Sequence, residues 1–87
     1  MTAISSEIWK GLEYYPNPVT EQLNLNLPNL KGELEVNVMD IRSRVLQKTN
    51  YFNDQIINID MSGLSAGIYI LQLKTGEESI DLKIVKK

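Results

Sequence analysis

Apolar and polar side chains alternate strictly in several short stretches of this sequence. Leucines alternate with asparagines across Leu23–Leu27, and Leu34, Val36 and Val38 alternate with polar residues in the next stretch. Ile57–Met61 repeats the pattern. Because successive side chains of a β-strand point to opposite faces of a sheet, each stretch predicts a strand with one face in a core. No window of useful length shows the spacing of an amphipathic helix.

Turn-forming residues separate these stretches at short intervals. Two prolines flank Asn17 and remove two backbone donors, which predicts a bend or a sheet edge there. Loops or turns are also expected at Pro28–Gly32, Asp40–Ser43, Ser62–Gly67 and Thr75–Glu78. The sequence therefore predicts an all-β fold of about six or seven short antiparallel strands, the pattern of a β-sandwich.

The most apolar run begins at Gly67 and continues through Leu73. Both of its faces are apolar, which predicts a strand in the interior of a sheet. The last strand follows a glycine turn, with Ile80, Leu82 and Ile84 on one face and Asp81, Lys83 and Val85 on the other. We expect the function of the chain to reside in this C-terminal third, Leu64–Lys87.

Length and composition argue against an enzyme. The 87 residues suffice for one domain, and a chain of this size buries roughly 60–65% of its unfolded surface, so we expect no deep substrate cleft. Histidine and cysteine are absent, which removes the commonest general base, the commonest zinc ligand and any disulfide. No serine or threonine stands at a spacing from a lysine or a carboxylate that singles out a pair of nucleophile and base. We therefore expect no catalytic residue, metal or cofactor.

Charge and hydropathy argue against two further classes of partner. The net charge of −2 disfavours nucleic acid, and no run approaches the roughly 20 apolar residues of a membrane span. The charge is unevenly distributed, because Lys83, Lys86 and Lys87 make the end of the chain basic. Ordinary solubility accounts for such charge unless another observation gives it a role.

Three segments together resemble a known family. They are Tyr15–Pro18 with the alternating strand after it, Val38–Leu46, and a third that runs from Ile59 through Leu64–Tyr69 to Lys83–Lys87. In this order they are similar to the C-terminal sorting domain of the bacterial type IX secretion system, also called the Por secretion system. The resemblance covers residues 12–87. Residues 1–11 are expected to be a flexible leader or a linker from a larger cargo protein.

The resemblance implies an immunoglobulin-like β-sandwich and a role in secretion. Such a domain ends a cargo protein, which reaches the periplasm through a separate N-terminal signal that the first residues here do not show. The outer-membrane translocon then recognises the folded domain, and a surface sortase commonly cuts upstream of it. The cargo can then be joined to an anionic lipopolysaccharide. The domain would thus be a substrate of the sortase, exported to the outer-membrane surface or the medium.

We assign recognition by the translocon to the last two strands. Lys86 and Lys87 have no evident packing role, so they are expected to project as a cationic tip beside the terminal carboxylate. The segment Lys83-Ile84-Val85 would anchor this tip against the sheet, and Gly67 and Tyr69 would complete the surface. The alternative for Gly67 and Tyr69 is that they only end core strands. The predicted site consists of Gly67, Tyr69, Lys83, Ile84, Val85, Lys86 and Lys87.

The sequence departs from the family at one turn, where Ser43 stands in place of the usual glycine. We expect Ser43 to reach the turn by a different backbone geometry, or the hairpin to be shifted. This departure concerns the local turn type and leaves the resemblance of the three segments intact.

Two other functions stay open on the residues alone. An immunoglobulin-like carbohydrate-binding, spacer or adhesion module of an extracellular protein would need exposed aromatic rings. The candidates are Trp9, Tyr14, Tyr15, Tyr51, Phe52 and Tyr69, of which Tyr69 is expected in the core, and Trp9 and Tyr51 are the ones to mutate. A structural module would instead form a weak homodimer through an unpaired edge strand.

Overall fold

The computed structural model describes residues 7–87, which form seven β-strands preceded by one turn of 3-10 helix at Glu7–Trp9. The strands are β1 (Glu13–Tyr15), β2 (Gln22–Asn26), β3 (Glu33–Met39), β4 (Val45–Phe52), β5 (Ile56–Asp60), β6 (Gly67–Thr75) and β7 (Glu78–Lys86). Within residues 7–87, no helical segment has the length and apolar character needed to cross a bilayer.

The strands form two antiparallel sheets. β1, β2 and β5 make a three-stranded sheet in that order, and β4, β3, β6 and β7 make a four-stranded sheet in that order. In immunoglobulin-like domains the second strand likewise pairs with the fifth, and the third pairs with the sixth in the opposite sheet. The predicted immunoglobulin-like β-sandwich is therefore confirmed.

The core lies between the two sheets and is built from the predicted alternating faces. Its members include Leu23, Leu25, Leu27, Leu34, Val36, Val38, Ile57, Ile59 and Met61. Burying one such side chain stabilises the folded state by about 1.5–3 kcal/mol. Because a chain this short has a small core, each of these contacts is a sizeable part of the net stability.

β6 lies inside the four-stranded sheet, between β3 and β7, as its apolar sequence predicts. Tyr69, Leu71 and Leu73 face the core, whereas Ile68 on the opposite face is 45% exposed. Only one face of this central strand is therefore covered within the described part of the chain.

Part of the N-terminal segment packs against the sandwich. Ile8 and Trp9 are half-buried and contact the core. Residues 1–6 of the expected leader lie outside the described residues. The role of residues 1–11 as a leader or a linker to a cargo protein stays a prediction.

The turn between β3 and β4 holds Ser43 in a left-handed conformation, with φ 66°. The Ser43 amide donates to the Asp40 main-chain oxygen at 2.9 Å. The amides of Arg42 and Arg44 donate to the Asp40 carboxylate at 2.8 and 3.0 Å. These bonds wrap the turn around Asp40 and hold position 43 in the glycine-like region. Of the two alternatives, a different backbone geometry for serine is therefore wrong, whereas the pairing of β3 with β4 does shift register between Val38 and Met39.

A two-residue turn joins β6 to β7, as the sequence predicts. Thr75 pairs with Glu78, and Gly76 between them has φ 59°, which glycine adopts at no steric cost. The two strands consequently pair along their whole length, as far as the pair of Gly67 with Lys86.

Candidate functional site

The three segments that carry the family resemblance meet at one end of the sandwich. We call it the C-terminal end and define it by residues 16–21, 40–44, 61–66 and 84–87. The strand order and directions bring these connections together. Hydrogen bonds join them, since the Met61 amide donates to the Glu21 oxygen at 2.7 Å and the Gln47 carboxamide donates to the Asp60 main-chain oxygen at 2.9 Å.

The segment after β1 crosses to the four-stranded sheet and forms a parallel bridge with the free edge of β7. The Val85 amide donates to Asn17 Oδ1 at 2.9 Å, and Asn17 Nδ2 donates to the Lys83 main-chain oxygen at 3.3 Å. Val19 continues the pairing, because its amide donates to the Val85 oxygen and its oxygen accepts from the Lys87 amide, both at 2.8 Å. We call Asn17 and Val19 the edge clamp.

The edge clamp changes what the last strand offers to a partner. An edge strand normally presents unpaired amides and carbonyls on which another chain can add a strand. Here Asn17 imitates a neighbouring strand with one donor and one acceptor, and Val19 supplies the next pair. The outer edge of β7 is therefore occupied from the Lys83 carbonyl to the Lys87 amide, and this stretch presents its side chains, not its main-chain groups, to a partner.

The sequence pattern predicted a bend at Pro16–Pro18 and missed this clamping role. The signal in the sequence was Asn17 itself, because its carboxamide has both a hydrogen-bond donor and an acceptor. It lies between two prolines, which have no backbone N–H to donate. The pattern could not show which strand receives these bonds, because Asn17 and Val85 are 68 residues apart in the chain.

The structure brings the seven predicted site residues together across the β6–β7 ladder. Gly67 pairs with Lys86, and Tyr69 pairs with Ile84. Burial divides the set: Gly67, Lys83 and Lys87 are exposed, Val85 is half-buried, and Tyr69, Ile84 and Lys86 are buried. The three exposed members are those that a large partner can contact most readily.

The expected cationic tip of two projecting lysines is wrong for Lys86, which is only 9% exposed. Lys86 pairs with Gly67 on one side and bridges to Val19 on the other, so the strand end is enclosed between two neighbours. Its ammonium donates to the Lys87 main-chain oxygen at 3.2 Å. Lys87 is exposed, as expected.

Tyr69 anchors the loop that precedes β6. It is 8% exposed, and its hydroxyl donates to the main-chain oxygen of Ser65, four residues upstream. Immunoglobulin-like sandwiches often carry a tyrosine near the start of the sixth strand that bonds back to the preceding chain in this way. The burial of Tyr69 agrees with the alternative in which it belongs to a core strand, and its hydroxyl positions the loop at the C-terminal end.

Asp40 organises the electrostatics of the β3–β4 turn. Besides the two turn amides, its carboxylate accepts from Arg44 Nε at 2.7 Å. The backbone hydrogen bond from Arg44 is the largest cause that lowers the pKa of Asp40 below its usual value. Arg42 and Arg44 are exposed, so the turn presents cationic side chains while its acid is engaged internally.

The residues predicted for sugar stacking do not form an exposed platform. Trp9, Tyr14 and Tyr51 are half-buried and pack against the core, and Tyr69 is buried in it. Tyr15 and Phe52 are exposed, but they lie in different sheets, on β1 and β4, and so do not form one surface. A groove of about 240 Å³ lies between β4 and β5, and Tyr51 lines it together with polar residues that include Thr49 and Asn58. One partly buried ring is not a flat stacking surface, so the geometry does not support the carbohydrate-binding alternative.

The fold and its site define a small immunoglobulin-like module whose distinctive segments are gathered at one end. A family model for the secretion system C-terminal sorting domain matches residues 13–87. A comparison with curated proteins found no match. The chain therefore belongs to the family of secretion-system C-terminal sorting domains, as the resemblance predicted.

Membership in this family identifies the chain as a sorting domain of type IX secretion and implies export to the cell surface or the extracellular space. A sorting domain of this kind implies interaction with the secretion machinery, and the family is not one of enzymes. Within residues 7–87, no group of three or more acidic, histidine or cysteine side chains could hold a metal ion.

Proposed function

We propose that this domain carries a cargo protein through the type IX outer-membrane translocon, and that the translocon reads the C-terminal end of the sandwich. The observation that carries the proposal is the convergence of all three family segments there. Tyr15–Pro18 reaches Lys83–Lys87 through the edge clamp, and the turn at 40–44 follows Met39, which pairs with Ile70 of β6. Segments so distant in sequence share one surface only after folding, so recognition depends on the folded domain.

The exposed residues Gly67, Lys83 and Lys87 are the proposed direct contacts. Lys83 and Lys87 offer flexible cationic donors, and Gly67 leaves open space at the start of β6, where an added Cβ would meet no atom within 4 Å. Ile84 is buried in the core beneath them and holds the strand in place. The buried members of the predicted site thus act by positioning the exposed ones.

The N-terminal side of the domain supports removal of the domain by a surface sortase. The chain enters β1 at the end opposite to the C-terminal end, where Asn29 Nδ2 donates to the Lys10 main-chain oxygen at 3.1 Å. A translocon at one end would therefore leave the upstream segment open to a sortase. In this proposal the cargo is cut from the domain and joined to an anionic lipopolysaccharide, and the domain is a substrate of the sortase.

A reporter with an export signal, fused upstream of this chain in a type IX-competent bacterium, tests the contact residues. Deletion of Ile84–Lys87 would remove a core side chain and unfold the domain, so charge reversal of exposed lysines is the sharper change. We expect the Lys83→Glu/Lys87→Glu variant to lower surface delivery about tenfold or more, because an interface would lose two cationic contacts. Delivery is measured by protease accessibility on intact cells.

The matched control is the double variant Lys10→Glu/Lys31→Glu, which reverses two exposed lysines at the opposite end and should be delivered normally. Normal delivery of Lys83→Glu/Lys87→Glu would contradict the contact assignment, and failure to deliver the unchanged chain would contradict the sorting function. Mass spectrometry of the delivered reporter tests the sortase step, because retention of the intact domain would rule out its removal.

A further inference from the structure

The outer face of the four-stranded sheet is divided into a polar half and an apolar half. Cross-strand pairing defines two polar rows, which are Asn50, Glu35, Lys74 and Ser79, and then Lys48, Asn37, Gln72 and Asp81. The pairing of β3 with β4 shifts register between Val38 and Met39. Beyond this shift the next rows toward the C-terminal end are Val45, Met39, Ile70 and Lys83, and then Ile68 and Val85. Leu46, beside Val45, is also apolar and 42% exposed. The character of the face thus changes within one row, about the 7 Å that separates next-but-one residues along a strand.

The polar half is engaged with itself. Asn37 Nδ2 donates to Glu35 Oε2 at 2.8 Å and to Gln72 Oε1 at 3.2 Å. The ammonium groups of Lys48 and Lys74 lie 3.9 and 4.0 Å from the Glu35 carboxylate. The hydrogen bond from Asn37 is the largest cause that lowers the pKa of Glu35 below its ordinary value. These rows are polar and bonded to one another, with Asn37 buried among its neighbours and its Oδ1 the one buried side-chain acceptor there without a hydrogen bond in the described part of the chain.

The apolar half has no such cover. We define the apolar patch as Met39, Val45, Ile68, Ile70 and Val85. Val45 is 53% exposed, and Met39 is buried yet stands apart from the core cluster between the sheets, as its outward position requires. Ile41 extends the patch into the turn that joins Met39 to Val45 and is 72% exposed. Val45, Ile68 and Ile41 are thus exposed, whereas Ile70 and Val85 are half-buried. Exposed apolar side chains gathered on one face in this way mark interaction sites.

The rim of the apolar patch is cationic. Lys83 belongs to one of the two apolar rows, and the exposed Arg42 lies in the adjoining turn, beside the ion pair of Arg44 with Asp40. None of the outward positions in these two rows is a carboxylate, and Asp40 in the turn is held by Arg44 and the turn amides. Charge complementarity therefore favours a partner that combines apolar side chains with carboxylates.

We propose that the apolar patch and its basic rim dock an apolar, carboxylate-bearing protein surface of the secretion machinery. This inference rests on the proposed sorting function and names the chemistry of its partner. A second copy of the chain fits poorly, because a two-fold interface would bring together two patches whose rims, with Arg42 and Lys83, carry the same positive charge. A lipid surface would offer anionic headgroups to the cations of the rim. It would, however, place the apolar patch against the polar headgroup layer.

Two substitutions test the docking surface in the reporter assay of the full chain. Ile68→Asp places an anion in the apolar patch, and Arg42→Glu reverses a rim charge. We expect each to lower surface delivery about tenfold, while the urea midpoint of the purified chain stays near that of the unchanged protein. Ile56→Asp and Lys31→Glu are the matched controls, since both positions are exposed at the opposite end and should deliver normally.

The outcomes separate this inference from the sorting function. If the unchanged chain is delivered and both Ile68→Asp and Arg42→Glu are delivered equally well, the docking surface is overturned and the sorting function stands. If the unchanged chain is not delivered, both fall. If Ile68→Asp lowers the urea midpoint, its delivery no longer tests docking. Surface delivery of Ile68→Ser and of Arg42→Glu, which are expected to keep the fold, then decides whether the docking surface stands.

Measurements on the purified chain test the two other possible occupants of the apolar patch, a second copy of the chain and a lipid surface. Light scattering that shows a dimer of the unchanged chain and a monomer of Ile68→Asp would assign the apolar patch to a second copy. Binding of the unchanged chain to lipopolysaccharide vesicles, lost in both Ile68→Asp and Arg42→Glu, would assign it to lipid. Either result would overturn a protein partner, whereas a monomer without vesicle binding supports it.

Discussion

At the scale of single residues, Ser43 occupies a backbone conformation that suits glycine better than serine. Its φ of 66° lies in the left-handed region, where an L side chain costs about 1–2 kcal/mol. Asn53, with φ 57°, is better suited, because asparagine tolerates this region and its Oδ1 accepts the Gly32 amide at 2.6 Å. The hydrogen bonds around Asp40 hold Ser43 in place against this cost.

Ser43→Gly should therefore stabilise the domain. Relief of the left-handed strain outweighs the roughly 0.5–1 kcal/mol of added chain entropy that glycine brings to the unfolded state. We expect the free energy of unfolding to rise by about 0.5–1 kcal/mol, measured by urea denaturation. The control Ser79→Gly lies within β7 and should lower the stability, since glycine weakens a strand interior. An unchanged or lower stability of Ser43→Gly would show that the turn is unstrained.

At the scale of elements, β7 is an edge strand protected in two ways. The edge clamp covers its last residues from Lys83 to Lys87. Earlier in the strand, Glu78 and Asp81 place charges beside the edge, and charged side chains discourage strand addition by other chains. The end that carries the sorting residues is thus held in a defined position against β6.

Removal of the Asn17 carboxamide should loosen this end without removing core side chains. Asn17→Ala deletes two hydrogen bonds and leaves the Val85 amide and the Lys83 oxygen without their protein partner. We expect the stability to fall by about 1–2 kcal/mol and hydrogen exchange to speed up at the Val85 and Lys87 amides. Hydrogen exchange followed by NMR measures both sites.

Asn29→Ala is the matched control for the edge clamp. Asn29 is also an exposed asparagine that donates to a main-chain oxygen, that of Lys10, at the opposite end. Its loss should leave the exchange of the Val85 amide unchanged. Equal protection of Val85 in Asn17→Ala and in the unchanged chain would show that the clamp does not hold the last strand.

At the scale of the whole molecule, three carboxyl groups link stability to pH. The pKa values of Glu35, Asp40 and Asp60 are lowered in the fold, chiefly by hydrogen bonds from a carboxamide, a main-chain amide and a serine hydroxyl. A carboxyl whose folded pKa lies below its unfolded value stabilises the fold above the unfolded pKa. That contribution is lost as the pH falls through the folded pKa.

The free energy of unfolding should consequently be steady near neutral pH and decline from about pH 4.5 downward, as these three carboxylates become protonated. Urea midpoints at several pH values between neutral and strongly acidic solution measure the decline. Asp40→Asn should be less stable at neutral pH and lose less on acidification, because it lacks one of the three groups. Parallel pH profiles for the two chains would contradict a role for Asp40.

Strand positions, turns and family membership were predictable from the sequence because they depend on near neighbours in the chain. The alternation in Leu23–Leu27 fixes which side chains share a face of β2, and that face is buried as predicted. Gly76 likewise marks its own turn. The three family segments are also local patterns, so their recognition needs no knowledge of which strands pair.

Only the tertiary structure decided which faces and edges of these strands are covered by other parts of the chain. The alternation of β7 places Lys86 on the same face as the buried Ile84. Val19 bridges to it from the far side of the strand and closes that edge, a contact about which the alternation says nothing. β6 is apolar on both faces, yet the two-layer fold covers one of them, so Ile68 stays in solvent. Periodicity along the chain determines which side chains share a face of each strand. Contacts between segments that are distant in the sequence determine which face and which edge of the strand are covered.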